Sequence, residues 1–405
     1  MAIIFYYHFK NKRSILFGFP GYSIIVSLIF FGLSVDELSR GKTLGFNKID
    51  YSIFFSYIFH LLLFPLWIVI YDLLFNRKVT RNLEVQKLWL IRSVAIFCSL
   101  YMIVVFATNN VISEILRSGA GSGMALRLLM THELNSDSGV MLKYWRLVRD
   151  LQIFSCLILI FNSNSLNVKK IEMLFYGFSL LIALLISMEK VLFVNLILIY
   201  ILYNAILGNF RIKAVFFLVA SIYLVYWVTF DAFQFSEFGA MILARLDEQT
   251  SSAYLHNMYI ESNGYLGLKG LPLGIFSNLL NTEFFDLSKY SYDILHPEYG
   301  ALGLSGSSGG IGIISLEAVF PFYGIIIYVF ITTVISYLIF YFNSIQDNAL
   351  RSFFSAYFAV FYVMPFIFSP FAIINPLLIF SIPVWMYLML FKLAFKRTHR
   401  RHLGT

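Results

Sequence analysis

Long uncharged runs alternate with short charged segments along most of this chain of 405 residues. Most runs have about the 17 to 25 residues that an α-helix needs to cross the hydrocarbon core of a bilayer. A backbone in lipid must pair its own polar groups, and the runs lack the polar–apolar alternation of barrel strands, so both features favour helices. We therefore predict about ten spans. The predicted spans are 14–35, 51–74, 90–111, 147–163, 171–188, 191–208, 214–232, 318–342, 352–370 and 372–391.

Composition supports this interpretation. The chain is 59% hydrophobic and 13% charged, with a mean hydropathy of +0.78, whereas soluble domains carry about 25% charged residues. A fold in water could not bury so much apolar surface. We predict an all-α, polytopic integral membrane protein whose single membrane domain covers 1–405. Cys98 and Cys156 fall in predicted spans, where we expect them to pack without a disulfide framework.

The distribution of charge predicts the topology. If successive loops lie on alternate sides, one set is strongly basic, and the positive-inside rule makes it cytoplasmic together with both termini. The pI of about 9.2 then reflects topology. Nucleic-acid binding is a poor interpretation because the basic residues are scattered over separate segments. The basic segments are the N-terminus, 76–87, 169–170, 211–213, Arg351 and 392–401.

Two long segments fall on the outer face of this topology. The first outer loop covers 112–146, and the large outer (periplasmic) loop between spans seven and eight covers 233–317. Loops of this length are usually functional or form small domains. Residues 299–316 are uncharged and rich in Gly and Ser, which is compatible with a re-entrant segment or with a flexible approach to span eight.

Several chemistries have no signature in the sequence. It contains no P-loop, HExxH motif, Cys/His cluster or GxSxG motif, which disfavours ATPases, zinc peptidases and serine hydrolases. We expect no metal and no cofactor.

Cations on the predicted outer face are candidates for binding an anion, since guanidinium groups grip phosphate oxygens in bidentate fashion. The alternative is that these side chains mark turns, snorkel to water or touch lipid phosphates. The candidates are Arg117, Arg127, Arg146, Lys190 and Arg245.

Two histidines of the large outer loop, His256 and His296, are candidates to take a proton from a hydroxyl group, although solvated loop histidines are common. Their possible carboxylate partners are Glu261, Asp293 and Glu298. Glu317, at the predicted start of span eight, is either a water-facing cap or a site residue.

Three local features carry a resemblance to a known family. They are the outer turn SMEK (187–190) followed by VLFVNLIL, the large loop with Arg245 and the later YLGLKGLPLG (265–274), and GLSGSSGGIGIISLEAVFPFYG (303–324). With the charge-poor polytopic layout, they resemble the Wzy-type O-antigen or capsule polymerases.

That resemblance implies a membrane glycosyltransferase that polymerises undecaprenyl-pyrophosphate-linked oligosaccharide repeat units at the periplasmic face of the bacterial inner membrane. It needs neither nucleotide sugar nor metal, and a chain-length regulator is a candidate partner. Arg245, Arg127, Arg117 and Lys190 would then stabilise charge on the leaving pyrophosphate. His296, with a weak preference over His256, would be the base.

Two alternatives stay open. A related ligase would transfer finished glycan with the same chemistry. A transporter or flippase of lipid-linked sugars would be expected to show inverted repeats and helices broken near the middle of the membrane, and the sequence has no duplicated halves.

Overall fold

A computed structural model of the chain describes fewer than all of its residues. All regular structure among those it describes is helical, which confirms the all-α class for that part of the chain. These residues belong to two compact units, one drawn from 80–233 and 345–353, the other from 234–344 and 354–378. The described residues are 88–108, 145–164, 166–187, 190–207, 216, 220, 248, 251–256, 258–270, 283–297, 312–321, 323–324, 326–328, 330, 348–358 and 360–361.

Four helices of the first unit coincide with predicted spans three to six, and their ends agree to within about three residues. Their positions confirm that these uncharged runs are helical. Among the described residues, one helix contains a stretch, Ile91–Thr108, that is long and apolar enough to cross a membrane. The four helices are α1 (Leu88–Thr108), α2 (Trp145–Phe161), α3 (Lys170–Ser187) and α4 (Lys190–Ile206).

Small and polar side chains join α1, α2 and α3. Ser99 Oγ lies 2.9 Å from Ser179 Oγ and 3.6 Å from Cys156 Sγ. Gln152 Nε2 donates to the Ser179 carbonyl oxygen at 3.0 Å. Ser99, Gln152 and Ser179 are fully buried, and Cys98 and Cys156 are free and buried. Small residues let helix backbones approach closely enough for such contacts.

Large apolar side chains lie on the outside of the same helices. Phe97 is 67% exposed, Leu174 is 73% exposed and Phe178 is 61% exposed. Phe178 directly precedes the fully buried Ser179. These helices therefore expose large apolar side chains in addition to the apolar residues that they bury between them, which is unusual for a water-soluble helical bundle.

The connection between α2 and α3 is attached to the beginning of α1. Arg92 Nη2 donates to the Asn167 carbonyl oxygen at 2.9 Å, and Arg92 Nε lies 3.4 Å from Glu172 Oε2. Met102, Trp145 and Ile186 belong to one buried apolar cluster, and these residues come from the end of α1, the start of α2 and the end of α3. The three helices therefore run in alternating directions.

The second unit contains shorter helices. Residues 251–256 and 258–263 are helical, and we call them the His256 helix. A 3₁₀ turn at Gly267–Gly270 follows, and then α5 (Leu287–Leu295) and α6 (Gly312–Val319). A further helix, α7, covers Asn348–Phe358 and begins before predicted span nine; its residues up to 353 belong to the first unit and the rest to the second.

The region of predicted span eight is interrupted. Helix α6 begins at Gly312, ahead of the predicted start at 318, and ends at Val319; helical structure resumes at Gly324. Pro321 explains the interruption because it lacks an N–H group and its ring clashes with the carbonyl group four residues earlier, that of Glu317. A Cβ atom on Gly324 would lie 2.6 Å from the Glu317 backbone nitrogen, so the chain turns closely around Glu317.

Several predictions lie outside the described residues. They are the spans 14–35, 51–74 and 372–391, residues 112–144 of the 112–146 loop and most of the Gly/Ser-rich 299–316 segment. Within 214–232 the structure describes two residues, 216 and 220, and both are helical.

We predict that Ser179→Leu lowers the stability of the first unit by about 1 to 3 kcal/mol, because the larger side chain overpacks the contact between α1 and α3. Thermal unfolding of the detergent-purified protein measures this effect. The matched control is Phe178→Leu at the neighbouring exposed position, which should change stability by less than about 0.5 kcal/mol. Equal effects of the two substitutions would contradict the proposed packing.

Candidate functional site

The His256 helix is the buried centre of the second unit. Six consecutive residues, 251–256, are buried, so this short stretch is covered on all sides. The helix ends at Gly264, whose N–H group donates to the Ile260 carbonyl oxygen at 2.8 Å. Gly264 has a φ of +78°, the left-handed conformation that glycine adopts at helix ends without steric cost.

His256 connects this helix to α6. Its side chain is 1% exposed, and its Nδ1 lies 3.3 Å from Ser315 Oγ. Burial lowers the pKa of His256 to about 4, an effect partly opposed by the Leu287 backbone and the negative charge of Asp286. The imidazole is therefore neutral at pH 7 and is enclosed by protein.

Helix α5 places the second histidine. Asp286 caps its N-terminus by accepting hydrogen bonds from the backbone N–H groups of Ser288 and Lys289 at 3.0 and 3.2 Å, which satisfies donors that a helix start leaves unpaired. His296 follows the last residue of α5, and its N–H donates to the Tyr292 carbonyl oxygen at 2.9 Å. The helix thereby fixes the backbone of His296.

His296 forms an ion-pair contact with a carboxylate. Its Nε2 lies 3.4 Å from Glu248 Oε1, and the side chains of the two residues are 26% and 9% exposed. The ring of Tyr292 lies against the imidazole, with 4.7 Å between centroids. A carboxylate beside a histidine orients the ring and stabilises the imidazolium that forms when it accepts a proton. His296 is thus the more accessible of the two histidines and has a partner suited to a base.

Glu317 lies on α6 two residues after Ser315. Its Oε2 has essentially no exposed surface, and a Cβ atom on Gly324 would lie 2.7 Å from that oxygen. The carboxylate is therefore packed against the resuming helix, which disfavours a simple water-facing cap.

The structure brings some predicted site residues together and leaves others undetermined. Both histidines and Glu317 belong to the second unit. Arg146 is the second residue of α2, and Lys190 is the first residue of α4. Arg117, Arg127 and Arg245 lie outside the described residues.

The carboxylate that contacts His296 was missed by sequence reasoning. Of the three possible partners, Glu261 and Asp293 are exposed and Glu298 lies outside the described residues. The contact is instead made by Glu248. The only signal in the sequence was the acidic pair Asp247-Glu248 shortly after Arg245, which we did not single out.

No protein-family model matches the chain, and comparisons with curated proteins and with solved structures give no match. The functional argument therefore depends on the residues themselves.

We predict that acidification loosens the His256 helix. Because burial depresses the pKa of His256 from 6.5 to about 4, its neutral form stabilises the fold fully above pH 6.5. That contribution, about 3 kcal/mol in all, is lost as the pH falls from 6.5 toward 4. The protection factors of the amides in 251–263, corrected for the intrinsic slowing of exchange at lower pH, should fall over this interval.

His256→Asn is the control for that experiment, because it keeps a neutral polar side chain and cannot titrate in this range. The variant should lose most of the pH-dependent fall in protection factors in 251–263. An unchanged pH dependence in His256→Asn would assign the effect to other groups.

Proposed function

We propose that this chain is a multi-pass membrane glycosyltransferase that polymerises undecaprenyl-pyrophosphate-linked oligosaccharide repeat units into O-antigen or capsular polysaccharide. In this proposal it lies in the bacterial inner membrane with about ten spans, both termini are cytoplasmic, and the 233–317 segment faces the periplasm. The observation that carries the proposal is the contact of His296 Nε2 with Glu248; Nε2 is buried, so we assign the role of base to Nδ1 of this partly exposed side chain.

The arrangement of α1, α2 and α3 supports the membrane part of the proposal. Small hydrogen-bonded groups join them beside a buried apolar cluster, and large apolar side chains lie on their exterior, as expected where lipid is the solvent. Their alternating directions fit successive crossings. The Arg92 end also carries Lys169 and Lys170, which agrees with a cytoplasmic placement of that end.

The reaction follows from the base and the leaving group. His296 accepts the proton of an acceptor sugar hydroxyl as the hydroxyl oxygen attacks the anomeric carbon of the donor glycan. The bond from that carbon to the pyrophosphate oxygen breaks, and undecaprenyl pyrophosphate departs with the electron pair. Glu248 stabilises the imidazolium until His296 releases the proton to water.

The leaving pyrophosphate needs positive charge near the membrane surface. Arg245, Arg117, Arg127, Lys190 and Arg146 stay the candidates for this role. Glu317 remains a candidate for binding the sugar. His256 is enclosed and neutral, so we assign it the role of holding the His256 helix on α6 through Ser315.

A transporter or flippase of lipid-linked sugars is the second candidate, and the interruption at Pro321 favours it because discontinuous helices mark many transport sites. In the proposed topology, however, the interruption lies near the outer end of span eight and away from the membrane midplane.

An O-antigen-type ligase would share the chemistry of the polymerase. Loss of a polymerase leaves single repeat units on the final acceptor, whereas loss of a ligase leaves none.

We predict that His296→Gln lowers the rate of polymerisation by about 10² to 10⁴-fold, the usual contribution of a general base. The assay incubates the purified protein with a lipid-linked repeat unit and follows the glycan ladder. Glu248→Gln should give a smaller loss and should change the pH profile of the remaining activity, because the imidazolium loses its anionic partner.

Lys289→Ala is the control, since Lys289 is exposed on the same helix and has no assigned role. It should retain wild-type activity. Wild-type ladders from a folded His296→Gln protein would remove His296 from the reaction, and the absence of a ladder with wild-type protein would argue against a polymerase.

A separate prediction concerns topology. A single cysteine at Asn263, introduced in place of the exposed native residue in a variant lacking Cys98 and Cys156, should react with a membrane-impermeant maleimide in intact spheroplasts. A cysteine introduced at Lys169 should react only after the membrane is permeabilised. The opposite labelling pattern would place the 233–317 segment in the cytoplasm, away from carrier-linked sugars.

A further inference from the structure

Three aromatic rings from separate segments meet on the second unit. The rings of Tyr259 and Phe285 are stacked, with 4.8 Å between centroids and an interplanar angle of 27°. Tyr290 meets Tyr259 edge-on at 5.0 Å and lies 6.0 Å from Phe285. We call these three residues the ring cluster. Tyr259 lies on the His256 helix, Phe285 precedes α5 and Tyr290 lies on α5.

The ring cluster is only partly covered. All three residues are half-buried, whereas the neighbouring aromatic residues Tyr254 and Tyr292 are each 6% exposed. Aromatic side chains that only fill the core would be expected to be as little exposed as Tyr254 and Tyr292. The ring cluster therefore presents part of its aromatic surface outside the core.

The backbone beneath the ring cluster is fixed. The Phe285 N–H donates to the Lys269 carbonyl oxygen at 2.8 Å, and Asp286 caps α5 immediately afterwards. Asn263 Nδ2 donates to the Tyr259 carbonyl oxygen at 3.2 Å. A surface held in this way loses little entropy when it binds a ligand.

Polar side chains flank the rings at helical spacing. Asn263 is four residues after Tyr259, and Asp293 is three residues after Tyr290, so each shares a helix face with its ring. Both are exposed. A purely apolar partner would not match these groups. A pyranose would match both, because its C–H face packs on the negative face of an aromatic ring and its hydroxyl groups can bond to amide and carboxylate oxygens.

We infer that the ring cluster is a carbohydrate-binding site for a pyranose oligosaccharide, and that it seats the acceptor glycan. The assignment to the acceptor rests on the proposed function. Tyr290 and His296 are separated by about 9 Å along the axis of α5 and its C-terminal end, a distance that an oligosaccharide spans. A glycan on the rings would extend from Tyr290 toward the C-terminal end of α5 to present a hydroxyl to the base.

Phe285→Leu tests this site, with Phe284→Leu as the matched control. Phe284 is the adjacent residue, is 45% exposed and lies outside the ring cluster. The full-length protein in detergent is applied to an array of bacterial surface oligosaccharides. Phe285→Leu should weaken binding about tenfold, the effect expected for loss of an aromatic contact, whereas Phe284→Leu should change it less than about twofold.

Phe285→Trp provides the rescue, since it keeps an aromatic face and should retain binding. This variant separates loss of stacking from a general disturbance of the backbone. If no oligosaccharide binds the wild-type protein, or if Phe285→Leu binds as tightly as Phe284→Leu, the site is refuted.

A kinetic measurement separates this inference from the proposed function. In the ladder assay, Phe285→Leu should raise the KM for the acceptor about tenfold and leave kcat nearly unchanged, as expected for loss of binding that is equal in ground and transition states. An unchanged KM in an active enzyme would refute the acceptor site and leave the polymerase intact. Oligosaccharide binding that depends on Phe285, without any ladder, would support the site and refute the polymerase.

Discussion

The contact among Ser99, Ser179 and Gln152 imposes the main constraint on the first unit. These groups pair at 2.9 to 3.0 Å only because small residues let α1, α2 and α3 approach closely. Large apolar residues such as Met102 and Ile186 are buried between these helices as well, while Phe97, Leu174 and Phe178 lie outside. Water would penalise that surface and lipid would not. The buried polar contacts explain how the three helices pack, and the exposed apolar side chains explain why lipid is the proposed surrounding medium.

The second unit meets a different requirement. Its helices are short, and they depend on local satisfaction of polar groups, through the Asp286 cap and the left-handed Gly264. Its buried groups include Ser252, His256 and Ser315, which need partners within the protein. Such a segment can hold polar side chains in fixed positions at its surface. It carries the His296–Glu248 contact and the ring cluster on neighbouring helices.

The predictable part of the structure is the part governed by local pattern. Helices α1 to α4 follow from uninterrupted apolar runs, because helix formation in such runs needs no knowledge of distant residues. The helix break at Pro321 was also readable locally, although our prediction runs span eight through it. Glu248 could not be assigned to His296, since their contact depends on how α5 packs, and no periodicity links residues so far apart in sequence. The burial of His256 likewise depends on α6.

Helix α6 joins the His256 helix and the 3₁₀ turn of the second unit. Ser315 meets His256, the Ala318 carbonyl oxygen accepts from the Leu266 N–H at 2.8 Å, and a Cβ atom on Gly270 would lie 2.5 Å from Val319 Cγ2. One short helix thus anchors both the His256 helix and the 3₁₀ turn. Because Pro321 interrupts the chain immediately afterwards, the orientation of α6 is not dictated by a continuous helix through span eight. These three contacts hold the His256 helix and the 3₁₀ turn against α6 independently of the helix that resumes at Gly324.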